Sequence, residues 1–197
     1  RAAYIGGTNA TSNVLSGKLY GIPLSGTQAH SWIESFDSEL EAFRIFAETA
    51  TGKVILLVDT YDTLMSGVPN AIKIAREMKE KGRKVDGIRL DSGDLANFAQ
   101  KSRNLLDNAG FQKIKIIASN QLDEYVIRSL NEQGAPVDGF GVGTELITGR
   151  PSAALDGVYK MSYCNGDPKI KLSENIEKIT LPGNKKLYRI LDKNGNF

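Results

Sequence analysis

Sulfur and imidazole are scarce: 197 residues contain one cysteine, Cys164, and one histidine, His30. A lone cysteine excludes an internal disulfide and any multi-cysteine zinc site. Charge of one sign is lacking too, since 25 Lys and Arg stand against 23 Asp and Glu, a net +2. That balance excludes a protein whose work is to grip nucleic-acid phosphates. No apolar run approaches the roughly 18 residues of a membrane span; the longest strand-like run is 54–58. Arg1-Ala2-Ala3 offers neither an initiator methionine nor the pattern of a signal peptide. What is present, 41% hydrophobic and 24% charged residues, is a globular composition rather than a disordered one. The expected setting is cytoplasmic, with no nucleic acid and no membrane as partner.

Between Ile22 and Val142 short apolar runs alternate with amphipathic stretches. The runs are 22–24, 54–58, 87–90, 114–118 and 139–142, each near-continuous as befits parallel strands covered on both faces. Between them apolar residues step at helical spacing: Ile33 to Ala47, Val68 to Met78, Leu95 to Ala109, and Val126 to Leu130. Gly52, Gly82, Gly110 and Gly134 follow these stretches where left-handed caps would sit. The repeat of about 25 to 33 residues is that of a βα unit. Five such units predict a parallel α/β fold, open or closed. A closed eight-stranded barrel takes roughly 250 residues, so a partial, TIM-like barrel is expected.

After Pro151 the texture changes to lysines and turn signals. Gly157 to Met161 and Tyr188 to Leu191 read as strands, with turns at Asn165-Gly166, Pro182-Gly183-Asn184 and Asn194-Gly195. The expected division is a barrel portion over 1–156 and a small β-rich tail over 157–197. The sequence stops where the return strand of the last hairpin is due, which predicts a piece of a longer chain.

Polar residues collect where each strand should end: 25–31, 59–63, 89–94, 119–121 and 143–145. In parallel α/β folds those loops share one face, and sites are built there. His30, in a Gly/Ser/Thr loop before a helix, can act as a base or a covalent nucleophile, the plainer reading being a helix cap. Asp59, Asp62, Asp91 and Asp94 form two paired-acid loops. They can hold magnesium with phosphates or orient a histidine, while Asp62 and Asp94 can equally be caps. Arg89, inside a strand, needs an anion: a substrate carboxylate or phosphate, or a structural pair with Asp91 or Asp59. Ser119 and Gly143-Thr144 stand at strand-to-helix junctions that can cradle phosphate. Lys160, Lys169 and Lys171 can neutralise a polyphosphate or form a solvated face. Trp32 and Tyr159 read as packing residues.

The segments Tyr20 to Ser31, Leu57 to Thr63, Gly87 to Leu95, Phe140 to Thr144 and Val158 to Lys160 resemble, in order and spacing, the nicotinate phosphoribosyltransferase family. The resemblance implies an irregular α/β barrel of the type II phosphoribosyltransferase kind. It implies ATP-coupled transfer of phosphoribose from phosphoribosyl pyrophosphate to nicotinate, on the salvage route to NAD, with magnesium and a homodimer in the full-length enzyme. On that resemblance His30 accepts a phosphoryl group from ATP, oriented by Asp59. Asp91 holds ribose or magnesium, with Asp94 as a second metal ligand. Arg89 faces the nicotinate carboxylate or a phosphate, Ser119, Gly143 and Thr144 take the 5′-phosphate, and Lys160 joins the substrate-binding set. The alternatives are nicotinamide phosphoribosyltransferase, which shares the histidine and acid loops, and a non-catalytic remnant that binds phosphorylated ligands.

Overall fold

A computed structural model describes residues 1–148, 159–171, 179 and 181–195. Four of the apolar runs form one parallel sheet in the order β1 (Ile55–Leu57), β2 (Gly87–Leu90), β3 (Lys115–Ser119) and β4 (Gly139–Gly141). Leu56, Leu57, Val58, Ile88, Leu90, Ile116 and Ala118 are fully buried, as strands covered on both faces require. Ahead of the sheet come α1 (Ala2–Ile5), α2 (Val14–Tyr20), α3 (His30–Glu34) and α4 (Glu39–Thr49). The crossovers are α5 (Val68–Glu80), α6 (Leu95–Asn108) and α7 (Glu124–Glu132), with the short α8 (Thr144–Ile147) after β4. On α5, Val68, Ala71, Ile72, Ile74, Ala75 and Met78 are all buried, the stripe expected of a helix laid on a sheet. Asp94 and Asp123 cap α6 and α7 by accepting from backbone N–H groups of the first turn.

The register fixes where the chemistry lands. Leu57 stands opposite Arg89, Arg89 opposite Ile117, and Ile117 opposite Gly139. Two residues further along, and so on the same face of the sheet, come Asp59, Asp91, Ser119 and Gly141. One rung across four strands therefore gathers the strand-end residues singled out in the sequence.

Four expectations are corrected. The run 22–24 is not a fifth strand: Pro23 has no N–H to give a ladder, and Leu24 makes only an isolated bridge to Thr11. The stretch Ile33 to Ala47 is two helices, because Ser38 caps α4 afresh by accepting from the Glu41 N–H at 3.2 Å. Gly82, Gly110 and Gly134 are left-handed caps as expected, but Gly52 is not, since α4 already closes on an extended Ala50. Tyr188 to Leu191 forms no strand. The expected strand Gly157 to Met161 lies partly outside the described residues, and its described part is not a strand. What the tail does form is a hairpin of β5 (Tyr163–Cys164) and β6 (Asp167–Pro168). Asn165 and Gly166, both at positive φ, make its turn. The expected boundary at 156/157 falls outside the described residues.

Between β1 and α5 the chain makes a π-turn, Thr63–Gly67. Asp62 starts it, its Oδ1 accepting from the N–H groups of Leu64 at 3.0 Å and Met65 at 2.7 Å. A Cβ at Gly67 would overlap the carbonyl of Val58, and backbone cannot retreat as a side chain can. Gly67→Ala is expected to cost about 3 kcal/mol, measured by denaturant unfolding; a loss below about 1 kcal/mol would mean that the turn yields.

Candidate active site

His30 opens α3, and Gln28 just before it pins the loop to the sheet, its buried Oε1 accepting from the Leu57 N–H at 3.1 Å. The imidazole lies between two elements of that sheet. Its Nδ1 is 3.1 Å from Thr60 Oγ1, and its Nε2 is 3.4 Å from Asp91 Oδ2. A carboxylate accepts only, so Nε2 carries the proton facing Asp91, and Nδ1 keeps its lone pair, met by the Thr60 hydroxyl.

Asp91 is the hub. Its Oδ1 accepts from Arg89 Nη2 and from the Ser119 hydroxyl, each at 2.5 Å. Burial alone would raise its pKa, but hydrogen bonds from His30, Ser119 and Arg89 and the guanidinium charge outweigh it, holding the carboxyl well below the usual 3.8. Arg89 spreads its fork three ways: Nε to Ser119 Oγ at 2.8 Å, Nη1 to Thr27 Oγ1 at 2.8 Å, and Nη2 to Asp91. The structural pairing of Arg89 with Asp91 is thus made. Of its five N–H groups, two are left over from these contacts.

Asp59 does not orient His30, which corrects that expectation. Its Oδ2 accepts from the Asp91 N–H at 2.7 Å and from the Ser92 hydroxyl at 2.6 Å, bracing the acid loop from the neighbouring strand. The orienting carboxylate is Asp91, because strand register puts Asp59 behind it. Asp94 is exposed and caps α6, accepting from the Asn97 N–H at 3.1 Å.

The resemblance implies magnesium, and the donors present do not suit it. Asp91 has both oxygens engaged and Asp94 serves as a cap. Asp59 Oδ1 is free of hydrogen bonds but buried. Among the described residues no group of three or more His, Cys, Asp and Glu could hold a metal ion. The expected Asp91–Asp94 metal pair is not formed.

Beside the hub a cleft of about 630 Å³ is lined by Arg89, Asp91, Ser119, Asn120, Gly143 and Thr144 among others. Five residues singled out from sequence therefore share one cavity. At its wall Asn120 and Gln121 hold positive φ, a conformation that non-glycine residues adopt under constraint. Lys160 lies elsewhere, on the His30 side, where its charge acts on Glu34. Lys171 is 6% exposed, so the lysine run is not simply a solvated face. Trp32 packs as expected, its Nε1 donating to the Ala42 carbonyl and its ring lying 5.1 Å from that of Phe36. Tyr159 does not; it is fully exposed.

Sequence reading missed two buried acids, one on α3 and one on α4. Glu34 and Glu39 are 3% and 5% exposed, and burial raises both carboxyl pKa values. Glu39 Oε2 accepts from Ser66 and Asn70, tying α4 to the π-turn. The position of Glu34, four residues after His30 on a helix, is a same-face spacing that could have flagged it.

The family model for the nicotinate phosphoribosyltransferase (NAPRTase) family matches residues 4–193. The nicotinate phosphoribosyltransferase of Bacillus subtilis is 50% identical over 200 residues, covering 100% of this chain and 40% of the relative. The chain thus spans less than half the length of that relative. The crystal structure of human nicotinic acid phosphoribosyltransferase superposes with a TM-score of 0.60 at 27% identity, over 71% of this chain and 39% of the other. A Vibrio cholerae nicotinate phosphoribosyltransferase structure gives 0.70 at 24% identity, over 88% and 44%, a likeness of fold alone. No helix among the described residues is long and apolar enough to cross a membrane.

Proposed function

The chain belongs to the nicotinate phosphoribosyltransferase family, and from that premise we propose that it carries part of the machinery for nicotinate phosphoribosyl transfer. Phosphoribose passes from phosphoribosyl pyrophosphate to the ring nitrogen of nicotinate, giving nicotinate mononucleotide and pyrophosphate for NAD salvage. ATP hydrolysis is coupled to the transfer through His30. The full-length enzyme works in the cytoplasm as a homodimer, and this chain divides into a barrel portion over 1–156 and a β-rich tail over 157–197.

The observation that carries this reading is the clamp on His30, with Nε2 toward Asp91 and Nδ1 toward Thr60. A neutral ring so held has one lone pair to offer, at Nδ1. That pair attacks the γ-phosphorus of ATP, the bond to the bridging oxygen breaks, and ADP leaves. Asp91 stabilises the cationic ring that results. The ring nitrogen of nicotinate has its own lone pair and needs no base, so the phosphoribosyl step draws on positioning and charge.

The cleft beside Arg89 suits the phosphorylated sugar, with Ser119, Gly143 and Thr144 toward the 5′-phosphate. The two remaining N–H groups of Arg89 face the carboxylate that distinguishes nicotinate from nicotinamide, and Lys160 neutralises phosphate charge on the His30 side. The 197 residues alone are expected to give no product, so the reading is tested by incubating the full-length enzyme that contains them with phosphoribosyl pyrophosphate, ATP and equal nicotinate and nicotinamide. Nicotinate mononucleotide as the dominant product supports it; preference for nicotinamide, or no nucleotide at all, contradicts it.

Arg89→Lys keeps the charge but replaces a three-way fork with a single ammonium. Transition-state stabilisation is expected to fall by roughly 1–3 kcal/mol, with the nicotinate KM rising more than that for phosphoribosyl pyrophosphate. Equal rises in steady-state assays would mean that Arg89 acts only by orienting Asp91.

A further inference from the structure

Attack by His30 Nδ1 consumes a lone pair that another residue already uses. Thr60 stands just past the end of β1 and is fully buried, at 0% exposure. Its Oγ1 lies 3.1 Å from His30 Nδ1, the one side-chain hydrogen bond it makes among the described residues. Nε2 faces the Asp91 carboxylate, which accepts only, at 3.4 Å; Nδ1 therefore carries the lone pair, and Thr60 is the donor.

A buried hydroxyl proton that loses its acceptor bears the cost of having left water. Thr60 has no solvent to turn to, and a phosphorus atom bonded to Nδ1 takes the lone pair away. The same bond brings phosphoryl oxygens to within one bond of that phosphorus, where the hydroxyl can meet them. Such an oxygen is anionic, whereas the resting nitrogen is neutral, and a hydrogen bond to a charged acceptor is about twice as strong. A donor that gains strength as charge arrives favours the transition state over the resting complex.

We propose that Thr60 is a further catalytic residue of the phosphoryl step: its hydroxyl holds the resting ring at Nδ1 and turns to an oxygen of the incoming phosphoryl group as the nitrogen–phosphorus bond forms. The Nδ1 pair makes that bond, the pair of the bond to the bridging oxygen leaves with ADP, and the Thr60 proton stays on Oγ1 throughout. This rests on the assignment of His30 as phosphoryl acceptor, and it adds the group that meets the transferred oxygens. The two sides of the ring divide the work: Asp91 fixes the proton at Nε2, and Thr60 serves the nitrogen that reacts.

The experiment uses the full-length enzyme that contains this chain. It compares wild type with Thr60→Val, which keeps the shape and loses the hydroxyl, and Thr60→Ser, which keeps the hydroxyl. One arm follows acid-labile label on His30 from γ-labelled ATP. In Thr60→Val the rate at saturating ATP should fall about tenfold or more, one charge-assisted hydrogen bond being lost from the transition state. The ATP concentration for half-maximal labelling should stay within about threefold, since the lost bond is not made to bound ATP. Thr60→Ser should label within about threefold of wild type. A wild-type rate in Thr60→Val, a loss confined to half-saturation, or a Thr60→Ser as slow as Thr60→Val overturns the proposal. A second arm needs no transfer: nitrogen NMR of the His30 ring in enzyme made with isotope-labelled histidine, without ATP, assigned by its absence in His30→Ala. The Nδ1 resonance should move toward that of an unbonded ring nitrogen in Thr60→Val and hold its place in Thr60→Ser. No movement in Thr60→Val overturns the resting contact and the proposal with it. If wild type takes no label, the phosphohistidine reading fails and the proposal falls with it; label in wild type with an unchanged rate in Thr60→Val overturns the proposal alone. Thermal melting checks folding, and should Thr60→Val not fold, Thr60→Ala carries the same comparisons.

Discussion

Replacing His30 by alanine is expected to abolish the ATP-dependent part of nicotinate mononucleotide synthesis while slow, ATP-independent transfer persists. His30 is the only imidazole in the sequence, and its ring is held at both nitrogens. The loss should be roughly 100-fold or more in the ATP-stimulated rate, about 2.7 kcal/mol of barrier. The residual rate is expected because the attacking nitrogen of nicotinate needs no general base. Initial rates with and without ATP, in wild type and His30→Ala, measure both. ATP stimulation that survives the substitution would remove His30 from the coupling step.

The second large effect is expected from Asp91→Asn. The substitution leaves the size of the side chain nearly unchanged but takes away the charge that faces Arg89 and the acceptor that fixes the His30 tautomer. An amide nitrogen turned toward Nε2 would press the proton onto Nδ1 and occupy the lone pair that attacks. A fall of roughly 100-fold in kcat/KM is expected. Stability should change with pH in a defined direction as well. The Asp91 carboxyl is depressed in the folded protein, so the stability it lends is fully present above the usual 3.8 and is lost as pH falls below that toward its much lower folded-state value. The gap in unfolding free energy between wild type and Asp91→Asn should therefore be constant from pH 7 to about pH 5 and should narrow only in stronger acid. Narrowing that begins near neutral pH would assign the pairing to a different group.

Much of this arrangement is legible in the sequence because it depends on period and punctuation. Continuous apolar runs separated by amphipathic stretches require parallel strands with helical crossovers. Asp59, Asp91 and Ser119 sit at strand ends, so a common face for them follows from topology alone. What the sequence does not display is register. Both acid loops look equally fit to orient His30, and only the alignment of Leu57 with Arg89 puts Asp59 behind Asp91 rather than against the ring. Asp94 illustrates the same difficulty on a smaller scale. A carboxylate before a helix reads as ligand or cap, and the hydrogen bond to the Asn97 N–H decides for the cap. Lys171 was hidden by company, being one lysine among several in a tail, and only burial separates it from a solvated face. Glu34 left a trace in its spacing from His30, but an acid on a short helix is ordinary until its oxygen is found buried and unpartnered.

The central claim is that His30 is the residue through which ATP acts, and that its Nδ1 is the attacking atom. Its most direct test is to incubate the full-length enzyme that contains this chain with ATP, quench in alkali, and locate the phosphoryl group by peptide mass spectrometry and phosphorus NMR. The expected result is an acid-labile phosphoramidate on His30, on the ring nitrogen that faces Thr60, discharged when nicotinate and phosphoribosyl pyrophosphate are added. An acid-stable ester, a phosphoryl group on another residue, or a phosphoramidate on the nitrogen that faces Asp91 would contradict it.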